Sequence, residues 1–498
     1  MTRVSAVQTM TPAELRTAFF RSFPGVAPAI ILAAIDQTIV ATALPAIAGG
    51  LGVVESLSWV VVAYLISATV AAPVFGRLGD VFGRRRLLLV ALGVSAAGAA
   101  LSAAAPSFGV LLGGRLLQGF GGGGLATMAM ALIGEAVPPR ERGRFQAYIV
   151  ASFTTASCLG PIAGGWLTEH FGWRAVFWAL LPWMALAVPL ALRIPRRPTE
   201  GGAGFRFDWL GVLLFAGFVA PALLAFGQIQ RLSLAALPLA LGLAATSAVA
   251  LWLLLRWEAR APEPLLPLPL LAEPTVLRSN LLTACAHGAL IALLTFLPIY
   301  LQSVRGLAPA DAGVLMLPLS LGGAIGGLSA GWLMTRTGIS MPFACGGLGM
   351  AASALLAVAL LAPELSDSVL ALLLGVAAVG MGCSYPVVQI TVQVAGGHGR
   401  LGAAAASVQF FRTLGAALAT AMLGALLFGT LAAGDAGLGA LFTRLVREGP
   451  ALLPGLEPGM RAALRDGLGW AFQAAFLGAA ILAATGSWLA TRVPLQRL

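Results

Sequence analysis

The sequence predicts an all-α integral membrane protein with fourteen spans and both ends on the cytoplasmic side. Three observations carry this. The 498 residues are 59% hydrophobic and only 10% charged, with a mean hydropathy of +0.92. That composition lies outside the soluble globular range. The apolar residues come in repeated runs long enough to cross a bilayer as helices. Finally, the charge is sorted: it falls in short segments between the runs, with arginine concentrated on alternate ones.

The expected helices cover 24–48, 57–76, 87–105, 108–133, 145–168, 173–192, 208–228, 232–255, 279–303, 309–333, 343–362, 368–393, 402–431 and 468–490. With the N-terminus inside, twenty-one arginines fall on inner segments and seven on outer loops, which favours an even number of spans. All the basic residues are Arg. The net charge of +11 does not point to nucleic acid, because it is dispersed over loops rather than gathered on one face. Cys158, Cys285, Cys345 and Cys383 all fall in apolar helices and read as small buried residues. The first twenty residues lack a signal-peptide apolar core, so the first span is expected to direct insertion.

The chain divides into an N-terminal six-helix bundle (1–192), a linker with two additional transmembrane helices (193–278), and a C-terminal six-helix bundle (279–498). Segments rich in Pro, Gly and Arg mark the divisions. A faint repeat relates the two bundles. Gly76–Gly83 (GRLGDVFG) aligns with Gly331–Gly338 (GWLMTRTG), and the same offset places Leu159-Gly160 on Leu414-Gly415. Two six-helix repeats are a common plan for alternating access. The segment 431–467 is expected to be an outer loop whose LGALFTRLVREG stretch forms a short surface helix.

Asp36 is the most informative residue. It lies near the middle of the first span, and no other acid of the nineteen is placed mid-span. A carboxylate at that depth is costly, by about 2.5 kcal/mol or more on insertion scales. Burial penalises its charged form, as a group that binds and releases protons near neutral pH requires. The alternative is an acid held for packing by Gln37, Thr38 or a backbone carbonyl. Arg115 is a second charge inside a span and must face a cavity or a partner. Asp36 is its natural long-range counter-charge, through water or Gln118, unless backbone carbonyls satisfy it; direct pairing is not readable from sequence.

Between spans two and three lies Gly76-Arg77-Leu78-Gly79-Asp80-Val81-Phe82-Gly83-Arg84-Arg85-Arg86, read as a loop. Its glycines allow a tight reversal. Asp80 can accept hydrogen bonds or face a helix N-terminus. This segment resembles the signature loop of the major facilitator superfamily. The first-span sequence from Ile35 to Pro45 resembles that of fourteen-helix drug:proton antiporters of the EmrB/QacA type, with Ala41 in place of the usual Asn. Trp59 and Tyr64 fit the second-span pattern, and Arg115-Leu116-Leu117-Gln118-Gly119 fits the fourth. Ala156–Gly165 is similar to the fifth-span antiporter motif, with Ala156 replacing its first Gly. Phe296–Gln302, Ala312-Gly313 and Gln409–Arg412 extend the likeness into the second half.

The resemblance implies a major facilitator fold and a proton-coupled multidrug efflux antiporter. Asp36 and Arg115 would couple protons to transport. Gly76, Arg77, Gly79, Asp80, Gly83, Arg84 and Arg85 would form a gating loop that contacts the second half in one state and releases it in the other. The arginines also anchor topology. Gly160, Pro161, Gly164 and Gly165 would form a pliable hinge, with plain helix packing as the alternative. A substrate cavity would draw on Gln37, Trp59, Tyr64, Gln118, His287, Phe296 and Tyr300, though each aromatic also suits core or lipid. His287 reads more readily as a satisfied polar residue than as a coupling group, and Arg412 as structural or gating.

No cofactor is expected: there is no Walker lysine, so the proton gradient rather than ATP would drive the cycle. Gly119–Gly124 matches G-x-G-x-x-G, but inside a span it reads as close helix packing. His170, His287 and His398 lie on different segments, which argues against a membrane enzyme. The expected partners are protons, lipophilic or cationic small molecules and the bilayer of the cell (inner) membrane. A monomer would suffice, with a periplasmic adaptor as an addition in a two-membrane organism. The alternatives are an exporter dedicated to one endogenous metabolite, siderophore or antibiotic, a proton-coupled importer, and a nontransporting scaffold.

Overall fold

The structure is a computed structural model and describes residues 12–51, 58–137, 139–195, 205–230, 237–307, 309–434, 437–438, 441 and 457–495. The architecture is all-helical. In chain order the helices are α1 (Pro12–Leu51), α2 (Ser58–Phe82), α3 (Arg84–Ala103), α4 (Phe108–Ala136), α5 (Pro139–Phe171), α6 (Arg174–Trp178), α7 (Leu180–Leu192), α8 (Trp209–Gln230) and α9 (Leu237–Glu258). There follow α10 (Leu268–Leu271), α11 (Pro274–Ile299), a π-helical turn (Tyr300–Val304), α12 (Pro309–Thr337), α13 (Met341–Leu361), α14 (Asp367–Gly382) and α15 (Ser384–Gly396). A 3₁₀ turn (His398–Arg400), α16 (Leu401–Gly434) and α17 (Pro458–Arg492) complete the chain.

Among the described residues, twelve helices are long and apolar enough to cross a membrane, against the fourteen spans expected. The two that differ are the fifth and seventh. α5 begins with Arg140, Glu141, Arg142 and Arg144 and ends on Glu169 and His170, so charge cuts into both of its ends. α8 contributes only the shorter apolar stretch Trp209–Ala225. The chain is a multi-pass membrane protein. Large apolar side chains such as Trp166, Trp209, Trp332, Trp470 and Trp488 are left exposed on the helices, as lipid-facing and interfacial positions require.

Several boundaries differ from expectation. The segment read as a loop between spans two and three is almost entirely helical: only Gly83 separates α2 from α3. Gly83 alone takes the left-handed backbone (φ 95°) that the reversal needs. The sixth span is divided at Ala179, and the twelfth at Cys383. α17 starts at Pro458, inside the expected outer loop. The LGALFTRLVREG stretch falls mostly outside the described residues. Pro73, Pro189, Pro221, Pro298 and Pro318 all lie inside helices, where a membrane protein can re-satisfy the freed carbonyls locally. Pro298 immediately precedes the π-helical turn.

Packing divides the chain into two units, 1–220 with 247–276 and 389–410, and 221–246 with 277–388 and 411–498. In the first unit, α4 packs on α3 and α2, and α1 packs on α5, α4 and α7. Its core runs through Val26, Ala29, Leu88, Leu125, Met128, Ile149 and Met184. A second cluster gathers Ile39, Ala43, Val60, Leu111, Trp173 and Phe177. In the second unit, α13 packs on α17 and α14, and α12 on α14. Small residues set these distances. A Cβ at Gly326 would lie 1.9 Å from the Val379 carbonyl oxygen, and one at Gly380 would lie 2.1 Å from that of Gly347.

Candidate functional site

The glycines of α4 build the surroundings of the first site. A Cβ at Gly122 would fall 2.2 Å from the Tyr64 hydroxyl, at Gly119 2.3 Å from the Tyr64 carbonyl oxygen, and at Gly121 2.4 Å from the Ser95 nitrogen. The G-x-G-x-x-G sequence is therefore a helix-packing seam, as expected. It brings α2 close enough for Tyr64 and Val60 to frame Arg115 on α4.

Arg115 and Asp36 are both buried, at 1% and 2% exposure, and they pair directly: Nη1 of Arg115 lies 2.8 Å from Oδ1 of Asp36. Gln118 closes the triangle. It donates through Nε2 to the same Asp36 Oδ1 (2.8 Å) and accepts from Arg115 Nη1 through Oε1 (2.9 Å). Arg115 Nε also donates to the Val60 carbonyl (3.2 Å), and the guanidinium lies 4.5 Å from the centroid of the Tyr64 ring. Arg115 thus has four kinds of support, of which Asp36 is only one. Asp36 Oδ1 accepts two hydrogen bonds while Oδ2, also buried, accepts none from the described residues.

The signature segment forms a second constellation within the same unit. Asp80 Oδ1 accepts from the Gly402 N–H (3.0 Å), and Oδ2 from the Ala403 N–H (3.2 Å), both in the first turn of α16. Asp80 therefore faces a helix N-terminus, where a carboxylate is stabilised by free N–H groups and the helix dipole. Arg84 bridges Asp80 (2.7 Å) to Glu135 (2.9 Å). Arg77 pairs with Glu263 in the segment after α9. Gly76 and Gly79 serve packing rather than reversal: their Cβ atoms would meet the Gly402 carbonyl at 2.8 Å and Met128 Sδ at 2.6 Å. Arg85 is half-buried.

Beside this cluster lies a contact the sequence did not disclose. Arg142, 2% exposed, donates to the Val137 carbonyl (2.9 Å), to the Gly134 carbonyl, and to Gln393 Oε1 on α15 (3.1 Å). Gln393 in turn donates to the Met130 carbonyl (3.2 Å). Burial and the neighbouring Arg84 bring the Arg142 guanidinium down to about 10, so it remains a cation at neutral pH. Glu135, Arg142, Glu263 and Gln393 read in sequence as ordinary polar residues near helix ends.

Of the hinge residues, Gly160 and Gly164 hold α5 against α1. Their Cβ atoms would lie 2.0 Å from Thr38 Oγ1 and 2.4 Å from the Ile39 carbonyl oxygen. Gly165 has nothing within 4 Å and takes no part in this approach. The Pro161 and Gln37 side chains lie outside those described. The residues assigned to a substrate cavity have different surroundings. Gln118 and Tyr64 belong to the Arg115 cluster, whereas Trp59 is exposed. In the second unit Tyr300 is buried against Phe472 and Phe476 (5.2 and 5.4 Å between centroids), with Arg305 donating to its hydroxyl. Phe296 is buried beside Gly424. His287 lies 3.5 Å from Arg412, whose guanidinium is 4.4 Å from the centroid of the Tyr385 ring.

Residues 26–420 match the family model of the Major Facilitator Superfamily. The chain belongs to that superfamily. A multidrug transporter protein, MdtP, of Bacillus subtilis is 31% identical over 409 residues, covering 81% of this chain and 74% of its own. An uncharacterized MFS-type transporter of Mycobacterium tuberculosis is 35% identical over 424 residues, or 83% of this chain. This chain spans only 60% of that relative's length. Among solved structures, the human organic anion transporter MFSD10 aligns with a TM-score of 0.64 at 16% identity, over 97% of this chain and all of its own. The Escherichia coli fucose:proton symporter aligns with a TM-score of 0.61 at 14% identity, over 94% of this chain and 97% of its own. These two likenesses establish the fold alone. The names of these relatives are those of membrane transporters.

Proposed function

We propose that this MFS transporter is a proton-coupled exporter of lipophilic or cationic drug-like compounds, of the fourteen-helix EmrB/QacA type, working by alternating access. In this reading α5 and α8 are the fifth and seventh spans and both ends face the cytoplasm across the cell (inner) membrane. α8 and α9 are the two helices inserted between the six-helix bundles. The arginine distribution supports the orientation, and the first-span and fifth-span motifs support the class.

The observation that carries the proposal is the asymmetry of Asp36. Its Oδ1 accepts from Arg115 and Gln118 while its buried Oδ2 has no partner among the described residues. A proton therefore adds at Oδ2 without displacing a described donor. Neutralising Asp36 removes the ion pair, yet Arg115 keeps Gln118 Oε1, the Val60 carbonyl and the Tyr64 ring. The cation stays solvated by protein in both protonation states, so loading and release need not unfold the site. Protonation and substrate binding then favour opposite access states, which is the requirement for antiport. The Asp80 contact with the first turn of α16 is the latch that one state makes and the other breaks.

The test is proton-gradient-driven uptake of ethidium, a fluorescent lipophilic cation, into inverted vesicles, comparing wild type with Asp36→Asn. The expected result is a gradient-dependent flux lost by at least about tenfold in the variant while ethidium binding persists. Equal flux in both would remove Asp36 from the mechanism. Flux of one metabolite only, uncompeted by other chemical classes, would favour a dedicated exporter.

A further inference from the structure

A pair of carboxyl groups at the ends of α8 and α9 is used by none of the chemistry above. Asp208 caps α8: its Oδ1 accepts from the Gly211 N–H (2.8 Å) and from the Trp257 indole N–H (2.8 Å). Glu258, the last residue of α9, is only 3% exposed, and its Oε2 accepts from the Leu266 N–H (3.1 Å). The other oxygen of each carboxyl, Asp208 Oδ2 and Glu258 Oε1, is buried and has no hydrogen-bond partner among the described residues. Both point at Gly211. A Cβ built there would lie 2.3 Å from Asp208 Oδ2 and 2.8 Å from Glu258 Oε1. Both orphan acceptors therefore border the space that a side chain at Gly211 would fill.

Two ionised carboxylates held this way repel, and each leaves a buried lone pair unsatisfied. A bound metal ion is a poor answer. Hard cations take six or more oxygens, and among the described residues no group of three or more acidic, His or Cys side chains is assembled anywhere. A proton on one of the two carboxyls removes that repulsion and neutralises one of the buried groups. We propose that Asp208 and Glu258 form a second proton-binding site, separate from Asp36, in which the pair holds one proton.

The charged groups around the pair are few. Arg77 on α2 is the cation whose field reaches Glu258, and it is paired with Glu263. On α9 itself, Arg256 lies over the Trp252 ring, and Arg206, two residues before Asp208, is exposed. The site also has a mechanical connection. Glu258 Oε2 holds the segment after α9 through Leu266, and Glu263 in that segment holds Arg77 of the signature segment. Loss of that proton leaves two negative charges beside Gly211 and pushes the ends of α8 and α9 apart. That strains the Glu263–Arg77 tie, so the proton concentration on this side of the membrane tunes the signature segment.

The test uses the full-length chain in detergent with Asp36→Asn throughout, so the transport site contributes no proton. Infrared spectra are recorded from pH 5 to pH 8 for this parent and for the parent with Asp208→Asn or Glu258→Gln. Each added variant leaves an amide that donates to the remaining carboxylate, which preserves the local hydrogen bond. The parent is expected to show a protonated-carboxyl stretch that titrates and is lost in both variants. Its thermal midpoint is expected to fall by a few degrees as pH rises, because the folded chain holds a proton that the unfolded chain has released. The variants are expected to lose that dependence. The proposal is overturned if the parent shows no titrating carboxyl stretch, or if the stretch survives both substitutions. Neither readout depends on transport, so the outcome stands whatever becomes of Asp36.

Discussion

Gly83 and Gly338 occupy the same place in the two repeats and share the same left-handed backbone, with φ of 95° and 68°. Each ends the turn after its repeat's second span. The side chains three residues earlier behave differently. Asp80 reaches out of its helix to the Gly402 and Ala403 N–H groups, whereas Thr335 turns back and donates to the Gly331 carbonyl of its own helix (3.0 Å). The fifth-span glycines follow the same rule. Gly160 brings α5 onto α1 at Thr38, and Gly415 brings α16 onto α11, where its Cβ would lie 2.3 Å from the Ala284 carbonyl oxygen. At the same offset, Asp36 in the first span becomes Ile291. The repeat thus kept the backbone devices, the turn and the close approach, and changed the charges. Architecture is common to both repeats, while the buried acid and the reaching acid belong to the first.

Three experiments bear on that division. The largest effect is expected at Arg115. Arg115→Leu should cost about 3–5 kcal/mol, because it leaves the Asp36 carboxylate buried without its cation. Asp36→Asn in the same chain should recover most of the loss. Denaturant unfolding that finds the single and double variants equally unstable would mean the pair carries little of the local energetics.

A smaller effect is expected at Asp80. Asp80→Thr copies the second repeat into the first and should cost about 1.5–3 kcal/mol, the range for hydrogen bonds to a charged group. Hydrogen exchange at Gly402 and Ala403 should quicken by about tenfold or more. Thr335→Val should stay within about 0.5 kcal/mol. Comparable exchange in both variants would erase the contrast. The smallest loss expected at a shared backbone device is common to the two repeats. Gly83→Ala and Gly338→Ala should each lose about 1–2 kcal/mol, since both place a Cβ in the left-handed region. If one is tolerated without loss, the turns are not equivalent.

The legible parts of this chain were those set by composition and local spacing. The helical membrane class followed from the apolar runs, and Asp36 and Arg115 stood out because charge inside a span is rare. Their direct contact was not readable, because it joins residues 79 positions apart and depends on how closely the α4 seam packs. Asp80 was placed against a helix N-terminus in kind, but nothing local named α16. Glu135, Arg142, Glu263 and Gln393 escaped because a polar residue near a helix end is the ordinary case. Gly76 and Gly79 were misread as turn formers: glycine signals close approach and backbone freedom alike, and only Gly83 uses the second. The fifth and seventh spans expected from the sequence are the two that the described helices do not match by length and apolarity, since charge enters both ends of α5 and the apolar stretch of α8 is short.

The seam along α4 has a mechanical consequence. Gly98 and Gly114 hold α3 and α4 at backbone distance, and Gly119 and Gly123 do the same for α2 and α4. Two helices that touch through their backbones have no intervening layer of side chains to slide through rotamers, so they resist shear. α2, α3 and α4 must translate and rotate as one stiff body, carrying Arg115, Gln118 and Asp80 together. Deformation is left to the segments outside the seam, among them α1, which carries Asp36 and meets this body through Arg115 and Gln118.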